Sequence, residues 1–167
     1  MDGNGQPDLN TNESVREALW GKPNAFSTTA PLFTEIQTLA LLRDTEPALR
    51  YGRQYFREVS GNGVDFGHSS GVGGIVAYSR VLGDREVLVA ANTGGQPFTG
   101  MILLDRDLNA AGSARRVIYC SHGTTGAPAV QLLTARVYSH GIASDATIAA
   151  VPVNLAPHEV QVLAPGN

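Results

Sequence analysis

Cysteine is nearly absent from this sequence. Cys120 is the one cysteine in 167 residues, so no internal disulfide can form and a disulfide-stapled scaffold is excluded. It ends the apolar run Val117-Ile118-Tyr119-Cys120, where a thiol is expected to pack as a small buried hydrophobe. An excess of one charge is missing too: 12 Lys and Arg against 15 Asp and Glu, scattered along the chain, give a net charge of −3 and a pI near 5.7. There is no basic stripe for phosphates and no polybasic patch for lipid, so neither nucleic acid nor a membrane is expected as a partner. No apolar run reaches the roughly 18 residues of a membrane span. Met1-Asp2-Gly3-Asn4-Gly5 has neither the positive region nor the apolar stretch of a signal peptide. A soluble chain is expected, with its compartment open because a fragment can lose a targeting segment. Length excludes a (β/α)₈ barrel of about 250 residues but allows one buried core with an appendage.

What is there changes character along the chain. Residues 1–14 are Gly, Asn, Asp, Pro and Thr in the main, a composition that reads as a loop. A helix signal follows: capping candidates at 27–29, Pro31 in the first turn, then Leu32, Phe33, Ile36, Leu39, Ala40 and Leu42 at helical spacing, closed by Glu46-Pro47. At 100° per residue these apolar positions sweep about half the circumference, wider than the stripe of a helix with one side in water. Such a helix expects partners on two sides. After Leu49 the text becomes short β-branched and aromatic runs cut by glycine-rich turns. The pattern predicts strands over 51–59, 75–81, 86–92, 98–104, 115–120, 130–138, 147–153 and 158–163. The fold class expected is mainly β: a Greek-key β-sandwich of about eight strands, preceded by a loop and one or two α-helices. The glycine-rich stretch 60–74 reads as a loop, and no internal repeat is present.

Candidate chemistry is thin. Asp2, Asn4, Gln6, Asp8, Asn10 and Glu13 fall in the register of a calcium loop, but its sixth place, which needs glycine for a sharp turn, holds Pro7. No metal or cofactor is assigned. Ser121-His122-Gly123, Ser139-His140-Gly141 and His68-Ser69-Ser70 suggest a nucleophile with its base, which requires a serine oxygen about 3 Å from a histidine nitrogen and an acid behind it. Neighbours on a strand point to opposite faces, and neither a Gly-x-Ser-x-Gly elbow nor a Cys-His pattern occurs. No histidine spacing suits a metal. The acids Glu58, Asp65, Asp84, Glu86, Asp105 and Asp107 lie beside turns and are expected to be solvated, with no pair forced together as glycoside hydrolysis requires. Of the aromatics Trp20, Tyr51, Tyr55, Phe56, Phe66, Tyr78, Phe98, Tyr119 and Tyr138, those within strands are expected in the core rather than on a sugar platform.

Three stretches together carry a resemblance. Val15-Arg16-Glu17-Ala18-Leu19-Trp20-Gly21, Leu39-Ala40-Leu41-Leu42-Arg43 and Pro47-Ala48-Leu49-Arg50-Tyr51-Gly52-Arg53 resemble the closing part of the catalytic domain in α-amylase-family glycoside hydrolases. Further on, Val76-Ala77-Tyr78-Ser79-Arg80, Val87-Leu88-Val89-Ala90-Ala91-Asn92-Thr93 and Leu155-Ala156-Pro157-His158-Glu159-Val160-Gln161-Val162-Leu163 are similar to that family's C-terminal β-domain. The likeness covers residues 13–167. It implies a polar loop and terminal helix from a catalytic barrel at 1–50 and a C-terminal β-sandwich domain at 51–167. Met1 would then mark a truncated reading frame or a cut protein. The family's catalytic carboxylates lie on upstream barrel strands, so the resemblance implies a fragment that is not an enzyme: no catalytic, cofactor or metal residue is named, and no carbohydrate-binding residue either.

The function expected is thus a non-catalytic C-terminal fragment of an α-amylase-like glycoside hydrolase, accessory and structural, with α-glucan as its candidate partner. The helix that a barrel would cover is expected to fold back onto the sandwich or to pair in a homodimer. Three alternatives stay open: a stand-alone carbohydrate-binding sandwich with two or three coplanar exposed aromatics, a small hydrolase on Ser121/His122 or Ser139/His140, and a non-functional remnant.

Overall fold

The computed structural model of the chain describes residues 27–68, 74–123, 125–139 and 141–166. The chain falls into two compact units, Met1–Leu42 and Arg43–Asn167.

Helix α1 spans Pro31–Thr45. Its first helical bond runs from the Thr34 N–H to the Ala30 carbonyl at 3.0 Å, Pro31 needs no donor in the first turn, and Ser27 Oγ shapes the turn just before it by accepting from the Thr29 N–H at 3.3 Å. Thr34 and Thr38 turn their hydroxyls back onto the carbonyls of Pro31 and Thr34, both at 2.9 Å. None of its residues is buried, and Leu32, Phe33, Ile36 and Leu39 are 74, 43, 58 and 40 % exposed. Glu46 then caps a short helix α2, Pro47–Tyr51, which packs against the strands β4 and β5 described below.

The β body has ten strands among the described residues: β1 Arg53–Phe56, β2 Val59–Ser60, β3 Asp65–Phe66, β4 Ile75–Leu82, β5 Arg85–Asn92, β6 Phe98–Leu104, β7 Arg115–Cys120, β8 Gln131–Ser139, β9 Ile142–Leu155 and β10 Val160–Pro165. They form two five-stranded sheets, in the orders β1-β4-β5-β10-β7 and β2-β6-β9-β8-β3. All pairs are antiparallel except β3 with β8. The class expected from the sequence, a mainly β sandwich behind one or two helices, is what forms. Two stretches read differently, and β9 runs longer than the expected 147–153. The run 51–59 is not one strand: Tyr51 ends α2, Arg53–Phe56 joins the first sheet, and Val59–Ser60 joins the second. The stretch 60–74 is not loop throughout, because Asp65–Phe66 is a strand held by a fully buried Phe66 side chain.

Period-two alternation explains the core. Ile75 and Ala77 on β4, Leu88 and Ala90 on β5, and Leu163 on β10 meet Ile102, Leu104, Ala149, Val151, Val153 and Leu155 of the other sheet. The second sheet is apolar on its reverse face as well, where Phe66, Ala135, Ile148 and Ala150 are buried with Met101, Leu103, Leu133 and Val137. That face is enclosed because the sheet closes on itself. Val59 and Gly67 exchange backbone hydrogen bonds of 2.9 and 3.0 Å, joining the two end strands into a small barrel with no free edge there. Gly100 on β6 permits the closure, since a Cβ at that position would collide with the Ser60 carbonyl and the Phe98 ring.

Candidate functional site

A heavily bonded acid of the β body is Glu86, 1 % exposed at the start of β5. Its Oε1 accepts from Ser79 Oγ and Arg57 Nη2, both at 2.5 Å. Its Oε2 accepts from Asn109 Nδ2 at 2.5 Å and from the Asp105 N–H at 3.1 Å. Asn109 Oδ1 in turn accepts from Arg115 Nη1 at 2.9 Å, while Arg115 Nη2 donates to the Glu86 carbonyl at 2.5 Å. Burial pulls the Arg115 guanidinium down to about 10 against the opposing attraction of Glu86, and its Nε lacks a partner. With four donors on one carboxylate, this cluster ties five chain segments together, and the Glu86 carboxylate itself is closed to a substrate. It also corrects the expectation that the turn acids are solvated: Asp65, Asp84 and Asp107 are exposed, but Glu86 is interior.

The Ser-His motifs come out differently from each other. His140 lies outside the described residues, as do Ser69, Ser70, Trp20, and the calcium-register residues Asp2, Asn4, Gln6, Asp8, Asn10 and Glu13. Ser121 Oγ does reach His122 Nδ1, at 3.0 Å. Both residues sit in the turn after β7 rather than on the strand, so the opposite-face argument does not apply to them. The acid that would orient the histidine is missing: Ser121 Oγ accepts from the Val160 N–H at 3.0 Å and keeps its own proton for His122, but among the described residues no carboxylate pairs with the His122 ring. The neighbouring acid, Glu159, is buried and engaged: its Oε1 accepts from Cys120 Sγ at 2.8 Å and Gln161 Nε2 at 2.7 Å, and its Oε2 from the Ala156 N–H at 2.6 Å. Cys120 is therefore half-buried and hydrogen-bonded, not the apolar filler expected. Among the described residues no group of three or more His, Cys, Asp or Glu side chains is placed to hold a metal, and no described helix is long and apolar enough to cross a membrane.

The aromatics divide by position. Phe66 and Phe98 pack in the two cores, whereas Tyr51, Tyr55, Phe56 and Tyr138 are exposed. Phe56 meets Tyr78 edge to face, with centroids 6.5 Å apart and planes at 68°. Tyr51 and Tyr55 stack against Arg50 and Arg57 at 5.2 and 5.7 Å. Phe56 and Tyr78 thus do not form the coplanar platform of a sugar-binding sandwich. Beside Phe56 a concave site of about 330 Å³ opens at the end of β1, lined by Phe56, Arg57, His68, Ile75, Val76 and Ala77. The His68 ring stands 3.7 Å from the Glu58 carboxylate.

No protein-family model and no curated protein sequence matches the chain. Solved structures of similar shape include an α-amylase from H. orenii, at 12 % identity and TM-score 0.46, with 81 % of this chain covering 20 % of that one. An isomaltulose synthase variant from Erwinia rhapontici NX5, in complex with D-glucose, shows 17 % identity and TM-score 0.47, with 87 % of this chain covering 21 % of that one. The isomaltulose synthase of Klebsiella sp. LX3 matches at 17 % identity and TM-score 0.46, again 87 % against 21 %. The chain spans about a fifth of the length of each of these enzymes.

Proposed function

We propose that this chain is the non-catalytic C-terminal portion of an α-amylase-type glycoside hydrolase or transglycosylase, with a structural, accessory role and contact to α-glucan. In this reading residues 1–50 derive from the end of a catalytic barrel and 51–167 form the accessory sandwich. The observation that carries it is α1: a helix with no buried residue and with Leu32, Phe33, Ile36 and Leu39 exposed has the side chains of an element made to be covered. The motifs at 39–43 and 47–53, which resemble the end of a barrel, lie on and just after that helix. The buried acids support the reading, since Glu46, Glu86 and Glu159 are each spent on hydrogen bonds within the fold and none faces a second carboxylate across a cleft.

Without a barrel, a second copy of the chain is the cover available to α1. Light scattering over a hundredfold range of concentration is expected to show a mass rising toward the dimer, and the Ile36→Glu, Leu39→Glu double variant is expected to remain a monomer. A wild-type mass that stays monomeric at every concentration would remove the helix as a face seeking cover, and the proposal with it.

A further inference from the structure

We infer that the cleft beside Phe56 is the point of glucan contact, holding the apolar face of one neutral hexopyranose ring; this rests on the accessory reading proposed above. The site is concave, about 330 Å³, within the roughly 300–1,000 Å³ usual for small-ligand sites. Its wall is an aromatic ring that the fold holds in place, because Phe56 is 64 % exposed yet braced edge-on by Tyr78. Its floor, Ile75 to Ala77, is apolar.

The polar groups narrow the ligand. Arg57 and His68 would suit an anion if they were unopposed, but each has its own acid: Arg57 Nη2 lies 2.5 Å from Glu86, and His68 Nε2 lies 3.7 Å from Glu58. The Arg57 charge is met by Glu86 while donors remain. Arg57 Nε and Nη2 are fixed on Ser79 and Glu86, which leaves Nη1 directed to no described residue. A cleft with one ring face, an apolar floor and charge-neutralised donors fits a ligand with an apolar face and a hydroxyl edge, which is the chemistry of a sugar ring rather than of a phosphate or a carboxylate.

The test is a heteronuclear NMR titration of the purified chain with maltoheptaose, and separately with inorganic phosphate. Maltoheptaose is expected to shift resonances of Val76 and Ala77, with Phe56→Ala weakening binding at least tenfold, Phe56→Tyr retaining it, and Tyr51→Ala, which removes an exposed ring outside the cleft, leaving it unchanged. Since Phe56 is exposed, its truncation is expected to leave the folded spectrum intact. Binding unaffected by Phe56→Ala would overturn the assignment while leaving glucan contact elsewhere on the domain. Phosphate binding in place of maltoheptaose, or no binding at all, would overturn it too. In neither case is the structural accessory role touched, because that role is read from the exposed apolar side chains of α1 and from the engaged buried acids.

Discussion

Glu86 is the single group whose loss the fold tolerates least. Its carboxylate is interior and balanced by Arg57, Ser79, Asn109 and the Asp105 N–H. Removing its charge leaves Arg57 without its counter-charge and takes the attraction of Glu86 away from the buried Arg115. The change Glu86→Gln is expected to destabilise the β body by about 3 kcal/mol, at the lower end for breaking a buried pair, which urea unfolding measures. A variant as stable as wild type would show the cluster to be solvated. Part of this was legible in the sequence. Alternation along β5 puts Glu86 on the same side as Leu88, Ala90 and Asn92, so a strand that buries Leu88 on that face buries Glu86 as well. What could not be read is which donors arrive, because Arg57, Asn109 and Arg115 come from other segments. The Ser121 to His122 contact escaped for a local reason: both residues lie in the turn after β7, where the opposite-face rule of a strand does not apply.

Two elements carry the next predictions. The short helix α2 is pinned by a fork of hydrogen bonds, Arg85 Nε and Nη2 to Glu46 Oε1 and Oε2 at 2.8 and 2.6 Å. The hydrogen bonds from Arg85 hold the Glu46 carboxyl below the usual carboxylate range. A carboxyl with a lowered folded-state pKa contributes stability above its unfolded value of roughly 4.3 and loses it as the pH falls through the folded value. Arg85 is 38 % exposed, so solvent screens the pair and the contribution is about 1 kcal/mol. The stability gap between wild type and Glu46→Gln is therefore expected near that size at pH 7 and to close between pH 5 and pH 3. A gap independent of pH would assign the effect to the cap alone. The closed sheet rests on Phe66. Phe66→Ala is expected to cost about 3 to 5 kcal/mol and to raise amide exchange at Val59 and Gly67, the two residues whose paired bonds seal the barrel. Exchange left unchanged there would mean the closure does not depend on the ring. The strands β2 and β3 escaped the sequence reading because two-residue strands have no period to detect. Their positions follow from where Phe66 finds a cavity, which is a tertiary fact.

At the scale of the whole molecule, the double-sheet class was legible because β-branched runs and turn residues alternate from Leu49 onward, and six of the eight expected strands fall within one or two residues of β4, β5, β6, β7, β8 and β10. The long strand β9, Ile142–Leu155, was expected only over 147–153 because its first residues, Ile142 to Asp145, are mixed in polarity and exposed where they pair with β8. The site was less legible than the fold. A cleft at the end of β1 depends on where the chain leaves one sheet for the other at Arg57 and Glu58, and no motif marks that crossing. The function proposed above rests on two features: the deeply buried acids of the β body are engaged in hydrogen bonds, and the apolar side chains of α1 are exposed. The direct test is a reducing-sugar assay on soluble starch with the purified chain at high concentration and long incubation, beside an active amylase as the positive control. No release of sugar above the buffer blank is the result this account predicts; release that scales with the amount of chain would place catalytic groups within it and contradict the account at its centre.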